Sequence, residues 1–199
     1  MTNASPATSS RTAETSAPIL EVLAERWSPR SYDTTVDIDE AKLTSVLEAA
    51  RWSPSASNSQ PWRFIVARRG SESFTKIHDN LMGFNQAWAG NAAVLIVALA
   101  ETVDEDGKTR PWAEYDLGQA SAHLSVQAHH EGLHIHQMGG IVVDGLRDAF
   151  NLPESLTPIT AITLGTLAAP EELANDILRE REVAPRERKS LDEILVVND

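Results

Sequence analysis

The stretch Ala92–Ala100, AAVLIVALA, is apolar at every position. It lacks the alternation of a strand with one wet face, so it reads as a strand covered on both sides. It is also far too short to cross a bilayer as a helix. Toward the N-terminus, Ser71 can cap a helix carrying Phe74, Ile77 and Leu81 on one face, and a strand runs from Trp62 to about Ala67. Before that strand lies SPSASNSQPWRF, Ser53–Phe64, a polar loop with no glycine and no charge before Arg63. Leu43, Val46, Leu47 and Ala50 recur at helical spacing, and Asp37 with Glu40 has the spacing of a capping box. Ile19–Arg26 reads as a short helix.

Toward the C-terminus, Glu101–Arg110 is an acidic turn centred on Asp106-Gly107. A long helix follows, about Trp112–Glu131, stopped by Gly132. It places Leu117, Ala120, Ser121, Leu124 and Ala128 on a narrow stripe, with further small or apolar residues elsewhere, as in a helix buried on more than one side. Leu133–Met138 reads as a strand, Gly139-Gly140 as a break, Asp144–Asn151 as a short helix and Ile159–Thr166 as another strand. Pro170 is placed to open a last acidic helix as its first residue. Strands and helices are intermixed, which gives an α/β or α+β class with one main sheet. No internal repeat is visible. Residues 18–199 form one expected domain, and the Ser/Thr/Ala-rich segment 1–17, which lacks an apolar signal region, is an expected disordered tail.

Composition sets outer limits. A chain of 199 residues, 42% hydrophobic, can bury a sizeable core. There is no cysteine, which excludes disulfides, thiolate metal sites and cysteine nucleophiles. No oxidising compartment is needed, and the expected location is the cytoplasm. A net charge of −12 argues against nucleic acid or an anionic membrane as partner.

Four groups of residues bear on chemistry. His129, His130, His134 and His136 invite a metal, but a zinc site wants a third well-placed ligand and no HExxH supplies it, so packing or surface histidines are the simpler reading. RWSPR (Arg26, Ser28, Arg30) and PRERK (Arg186, Arg188, Lys189) are compact basic clusters in an acidic chain. Their guanidinium forks suit a small phosphate. Solvated arginines balancing Glu182 and Glu187 explain them slightly more simply from the residues alone. Gly139-Gly140 after a strand lets the backbone approach a flat ligand, or simply makes a turn. Five tryptophans, Trp27, Trp52, Trp62, Trp88 and Trp112, flank these segments, and core packing accounts for most. The absence of GxGxxG, GxxxxGK[ST] and GxSxG removes support for a Rossmann crossover, a P-loop and a nucleophile elbow.

Together, RWSPRSYD (Arg26–Asp33), SPSASNSQPWRF (Ser53–Phe64), GLHIHQMGGI (Gly132–Ile141) and APRERKSLDEIL (Ala184–Leu195) resemble the FMN-dependent nitroreductase family in order and spacing. The resemblance implies an α+β fold: a three-layer α/β/α domain with a central, mainly antiparallel sheet. It also implies an obligate homodimer with one FMN at each end of its interface. By that resemblance Arg26, Ser28, Arg30, Arg186 and Arg188 hold the FMN phosphate. Pro54, Ser55, Ala56 and Asn58 close over the flavin of the second subunit, and Asn85 bonds the pyrimidine edge. The backbone of Gln137, Met138, Gly139 and Gly140 faces the ring near N5 and O4.

The implied activity is ping-pong transfer of hydride from NADH or NADPH to a nitroaromatic, a quinone or another conjugated acceptor. No protein acid–base residue and no metal is required. A same-fold reductase of semialdehydes, enones or halogenated aromatics, and a non-catalytic flavin carrier or sensor, are the alternatives. Trp27, Ala56 and Trp88 depart from the family pattern. Trp88 falls where some relatives carry a lysine near flavin O2, and it or Trp112 is where a carrier would block the ring.

Overall fold

The computed structural model describes residues 11–198. Its sheet has four strands: β1 (Trp62–Arg68), β2 (Val94–Glu101), β3 (His134–Met138) and β4 (Leu156–Gly165). Their order is β1-β2-β4-β3, and every neighbouring pair is antiparallel. β2 and β4 are therefore the inner strands. Pro158 cannot donate a ladder hydrogen bond, and there the pairing slips: Ala98 faces Thr160 and Leu99 faces Pro158, leaving Ile159 as the extra residue of a bulge.

The apolar reading of Ala92–Ala100 is met on both faces. Val94, Ile96, Ala98 and Ala100 enter one buried cluster with α2 (Glu40–Arg51) and α5 (Ala113–His130). Leu95, Val97 and Leu99 enter the other, with α3 (Glu72–Asp79), α4 (Gly83–Ala89), α6 (Val143–Phe150) and α7 (Asp176–Val183). The result is a three-layer α/β/α domain. Each fully buried Leu, Ile or Val on β2 contributes about 1.5–3 kcal/mol by removal from water. Among the described residues no helix is long and apolar enough to cross a membrane.

Several local expectations need correction. The cap of α2 is Asp39, whose side chain accepts from the Ala41 and Lys42 amides. Asp37 instead pairs with Arg69, and Glu40 with Arg68, so no capping box forms. Pro170 opens only the 3₁₀ turn Pro170–Glu172. Buried Leu173 turns extended to reach the core, and Asn175 starts α7 afresh. Two short helices went unseen, α4 and α8 (Leu191–Ile194). The first lacks a side-chain cap, whereas the second carries a Ser190–Glu193 capping box that was legible. The first helix, α1, is shorter than expected, Glu21–Glu25, and buries none of its residues.

The expected tail divides. Residues 1–10 lie outside the described residues. From Arg11 onward the chain is tied to the domain, contrary to a tail that takes no part in the fold: the Ala13 amide donates to the Ala24 carbonyl at 2.8 Å.

Candidate cofactor site

The two basic clusters meet. The Arg186 guanidinium donates to the carbonyls of Ala24 (2.5 Å) and Arg26 (2.9 Å) at the end of α1. This joins the C-terminal segment to RWSPR by neutral acceptors. Arg26, Arg186 and Arg188 thus gather without an acid: none of the three forms an ion pair with a described carboxylate. Burial, then Arg186 and Arg188, lowers the pKa of Arg26, and burial, then Arg188, lowers that of Arg186. A cluster of mutually repelling cations waits for an anion.

Glu182, expected as a counter-charge to these arginines, has another task. Its buried carboxylate accepts from the backbone amides of Arg30 (2.8 and 3.0 Å) and Ser31 (3.0 Å). Burial raises its pKa, and those amides oppose the shift. It fixes the course of the RWSPRS segment through backbone amides and forms no ion pair with Arg26, Arg186 or Arg188.

The Arg30 guanidinium carbon lies 5.9 Å from the ring centre of Trp88, and its buried Nε has no partner among the described residues. Trp88 corrects one expectation. It is 1% exposed, packed against His136 (4.7 Å between ring centres) and Tyr32 (6.5 Å), so it cannot block a ligand face.

A cavity of about 320 Å³ beside the arginines is lined by Arg26, Ser28, Ser125, Val126, Ile135 and Gln137, among others. Gln137 is oriented by α5, donating to the Ser121 carbonyl (3.3 Å) and the Ser125 hydroxyl (3.0 Å). The Met138 side chain belongs to the core, so only its backbone is available to a ligand. Beyond it, the Gly140 carbonyl accepts from the Met82 amide (2.9 Å) and from Asn85 Nδ2 (3.3 Å). Neither Gly139 nor Gly140 donates its own N–H to a described acceptor. A Cβ at Gly140 would lie 2.7 Å from Asn85 Nδ2, whereas one at Gly139 would meet open space.

The Ser53–Gln60 loop lies elsewhere. Pro54, Ser55 and Ala56 line a shallow cavity of about 210 Å³ with Trp112, Tyr115, Asp116 and Gln119. Two bonds from α5 hold the loop. Buried Asp116 accepts the Ala56 amide at 3.1 Å, and His123 Nδ1 lies 2.7 Å from the Ser53 hydroxyl. Ser57, Asn58 and Gln60 adopt φ of 52°, 55° and 47°, three of the four positive-φ non-glycine residues among those described. The local hydrogen bonds of Ser55 and Asn58 with Gln60 sustain that conformation. From Asp116 to Ser125 the helix rises about 13 Å. The two depressions share no lining residue.

Sequence reasoning missed Asp116, His123, Ser125 and Arg11. Asp116 left the clearest trace: a carboxylate inside the apolar stripe it shares with Ala113, Leu117 and Ala120. The four histidines do not converge: His134 packs edge-on against His129 at 5.3 Å, and His136 Nδ1 meets the Pro29 carbonyl at 3.0 Å. Among the described residues no group of three His, Cys, Asp or Glu could hold a metal.

The pattern of the nitroreductase family matches residues 23–82 and 71–166. A crystal structure described as an oxidoreductase containing FMN superposes with a TM-score of 0.87 at 34% identity, covering 98% of this chain and 96% of that one. An uncharacterized 15.4 kDa protein of Mycolicibacterium smegmatis is 34% identical over 140 residues, 66% of this chain and 92% of the relative. The oxygen-insensitive NAD(P)H nitroreductase of Salmonella typhimurium is 28% identical over 106 residues, 52% of this chain and 47% of that protein. With the three-layer antiparallel architecture and the matched segments spanning most of the domain, the chain belongs to the nitroreductase family.

Proposed function

We propose that this protein is an FMN-dependent NAD(P)H oxidoreductase that reduces nitroaromatic, quinone or related conjugated acceptors, working as a homodimer with shared sites. One observation carries the cofactor assignment: Arg26, Arg186 and Arg188 are assembled with no described carboxylate against them. A phosphate monoester, carrying about −1.5 to −2 charges near neutral pH, matches that charge and its donors. The amides of Gly139 and Gly140, which meet no described acceptor, and the oriented Asn85 fit the edge of a flat heterocycle.

FMN, when bound, supplies the two-electron chemistry. The chain binds and orients it. Arg26 and Arg188, with Ser28, take the phosphate, and Arg186 spends three of its donors holding the backbone in place. Arg30 serves the ring side, where its charge favours negative charge on the pyrimidine edge and stands in for the lysine that some relatives carry at position 88. Asn85 and the two glycine amides donate to the ring edge, and no protein acid or base is needed.

In one chain Pro54, Ser55 and Ala56 line a depression of their own and not the cavity beside Arg26. A second copy can bring them there. Support for self-association comes from uncovered apolar side chains at both ends of the chain, Ile19, Leu20, Leu23, Ile194, Val196 and Val197, and from Tyr115 on the outer face of α5. Trp112 and Tyr115, 61% and 66% exposed beside the loop, offer flat surfaces to a conjugated acceptor. The burial of Trp88 counts against the carrier reading, because it removes one proposed block on the ring.

The test combines FMN titration, sedimentation, and acceptor-dependent NAD(P)H oxidation with a nitroaromatic and a quinone. The reading expects a dimer, stoichiometric FMN and turnover of at least one acceptor. A monomer that ignores FMN contradicts it.

A further inference from the structure

Arg11 lies 15 residues before Arg26 in sequence, in a segment whose composition suggested disorder. In the folded chain it sits behind the phosphate cluster. Its guanidinium donates to the carbonyl of Glu182 and, at 3.0 Å, to that of Ala184. The same guanidinium stacks on Trp27, 3.9 Å from the ring centre. In return, the Arg11 carbonyl accepts from Arg186 at 2.6 Å.

Two arginines therefore clasp in opposite directions. Arg186 reaches from the C-terminal segment to the carbonyls of Arg11, Ala24 and Arg26. Arg11 reaches from the N-terminal arm to the carbonyls of residues just ahead of Arg186 and presses on the residue between Arg26 and Ser28. Both halves of the anion site, RWSPR and PRERK, are cross-tied by this pair.

A cluster of cations needs such ties. Arg26, Arg186 and Arg188 repel one another, and no described acid draws them together. Guanidinium–carbonyl bonds bring the segments together without adding a negative charge that would compete with an incoming phosphate. Arg11 has both terminal nitrogens engaged and one face on an indole, so it acts through its neighbours and is not itself a phosphate ligand.

We infer that Arg11, clasped with Trp27 and Arg186, is a positioning residue that preorganises the phosphate end of the cofactor site. This rests on the FMN reading above and extends it to a residue outside the matched family segments. A preorganised anion site spares the bound phosphate the cost of ordering its own ligands.

The experiment compares FMN with riboflavin, which lacks the phosphate, on the full-length chain. Arg11→Ala is expected to weaken FMN binding about tenfold, the scale of one lost charge-assisted bond, while riboflavin affinity stays within about twofold. Arg11→Lys should bind FMN no better than Arg11→Ala, because an ammonium keeps the charge but has neither the two spaced terminal nitrogens that reach both carbonyls nor the flat face that stacks on Trp27. Trp27→Leu, which removes the stacking surface from the other side, should show the same split and covers the case of an Arg11 variant that folds poorly. Equal loss of both flavins, unchanged FMN affinity in Arg11→Ala and Trp27→Leu, or full rescue by lysine would overturn the inference. Wild-type protein that binds neither flavin would defeat the cofactor reading itself, and this inference with it.

Discussion

The arginine cluster and the Ser53–Gln60 loop solve opposite problems. The cluster concentrates positive charge and must resist its own repulsion, which it does through carbonyl acceptors, while the Glu182 carboxylate binds backbone amides. The loop carries no charge and must hold an unfavourable shape, which it does through Asp116 and His123 reaching out of α5. In both regions the side chains proposed to meet the ligand are held by others that are not. The cluster is specified by charge, the loop by backbone geometry.

The largest expected effect is at the charged end. Combining Arg26→Ala with Arg188→Ala should weaken FMN by at least about 100-fold, each lost charge-assisted bond contributing roughly 1.5–3 kcal/mol. Riboflavin titration of the same variant should change little, and a matching loss there would erase the distinction between the two regions.

Acid should also find the side of the sheet that carries Arg30. Burial, then His129, depresses His134 to about 4, and burial, then Arg30, depresses His136 to about 4. The unfolded chain protonates these rings near 6.5 and the folded chain only near 4, so stability is complete above the first value and falls as pH drops toward the second. The loss is roughly 3 kcal/mol per histidine. Glu182, raised by burial, acts in the opposite sense as pH falls, so the measurement is the difference between wild type and His134→Leu or His136→Phe in urea unfolding across that window. A variant with an unaltered pH slope would contradict the assignment.

The loop end should respond more gently. Asp116→Ala removes the acceptor of the Ala56 amide and should cost about 1–3 kcal/mol in chemical denaturation. It should raise KM for the acceptor more than it weakens FMN. An FMN loss equal to that of the arginine variants would mean the loop is not a separate device. The smallest effect is at Ser57, where φ is 52°: Ser57→Gly relieves the left-handed cost and should stabilise by up to about 1 kcal/mol.

How much of this was legible follows the same division. Ala92–Ala100 announced a doubly covered strand, because burial on both faces erases alternation, and the periodic helices around it read correctly in kind. Interruptions were harder. Asp39 took the cap from Asp37 because Ile38, Asp39 and Glu40 all precede the apolar stripe and sequence spacing cannot rank two aspartates only two residues apart. The union of Arg26 with Arg186 was not readable, since it depends on backbone carbonyls, which every residue owns. Arg11 was hidden for the same reason, inside a segment whose composition suggested disorder. Trp88 shows the limit of transferring roles by position: a motif fixes order along the chain, while the packing of α4 against β3 decides which side chain is buried.

The central claim is that this chain carries FMN as a working redox group. The most direct test is the visible spectrum of the purified, FMN-loaded protein under anaerobic conditions, before and after NADH or NADPH. The account predicts that the yellow absorption bleaches within seconds and returns when a nitroaromatic or quinone is added. Colour that persists in excess of both nicotinamides, with FMN demonstrably bound, would contradict it.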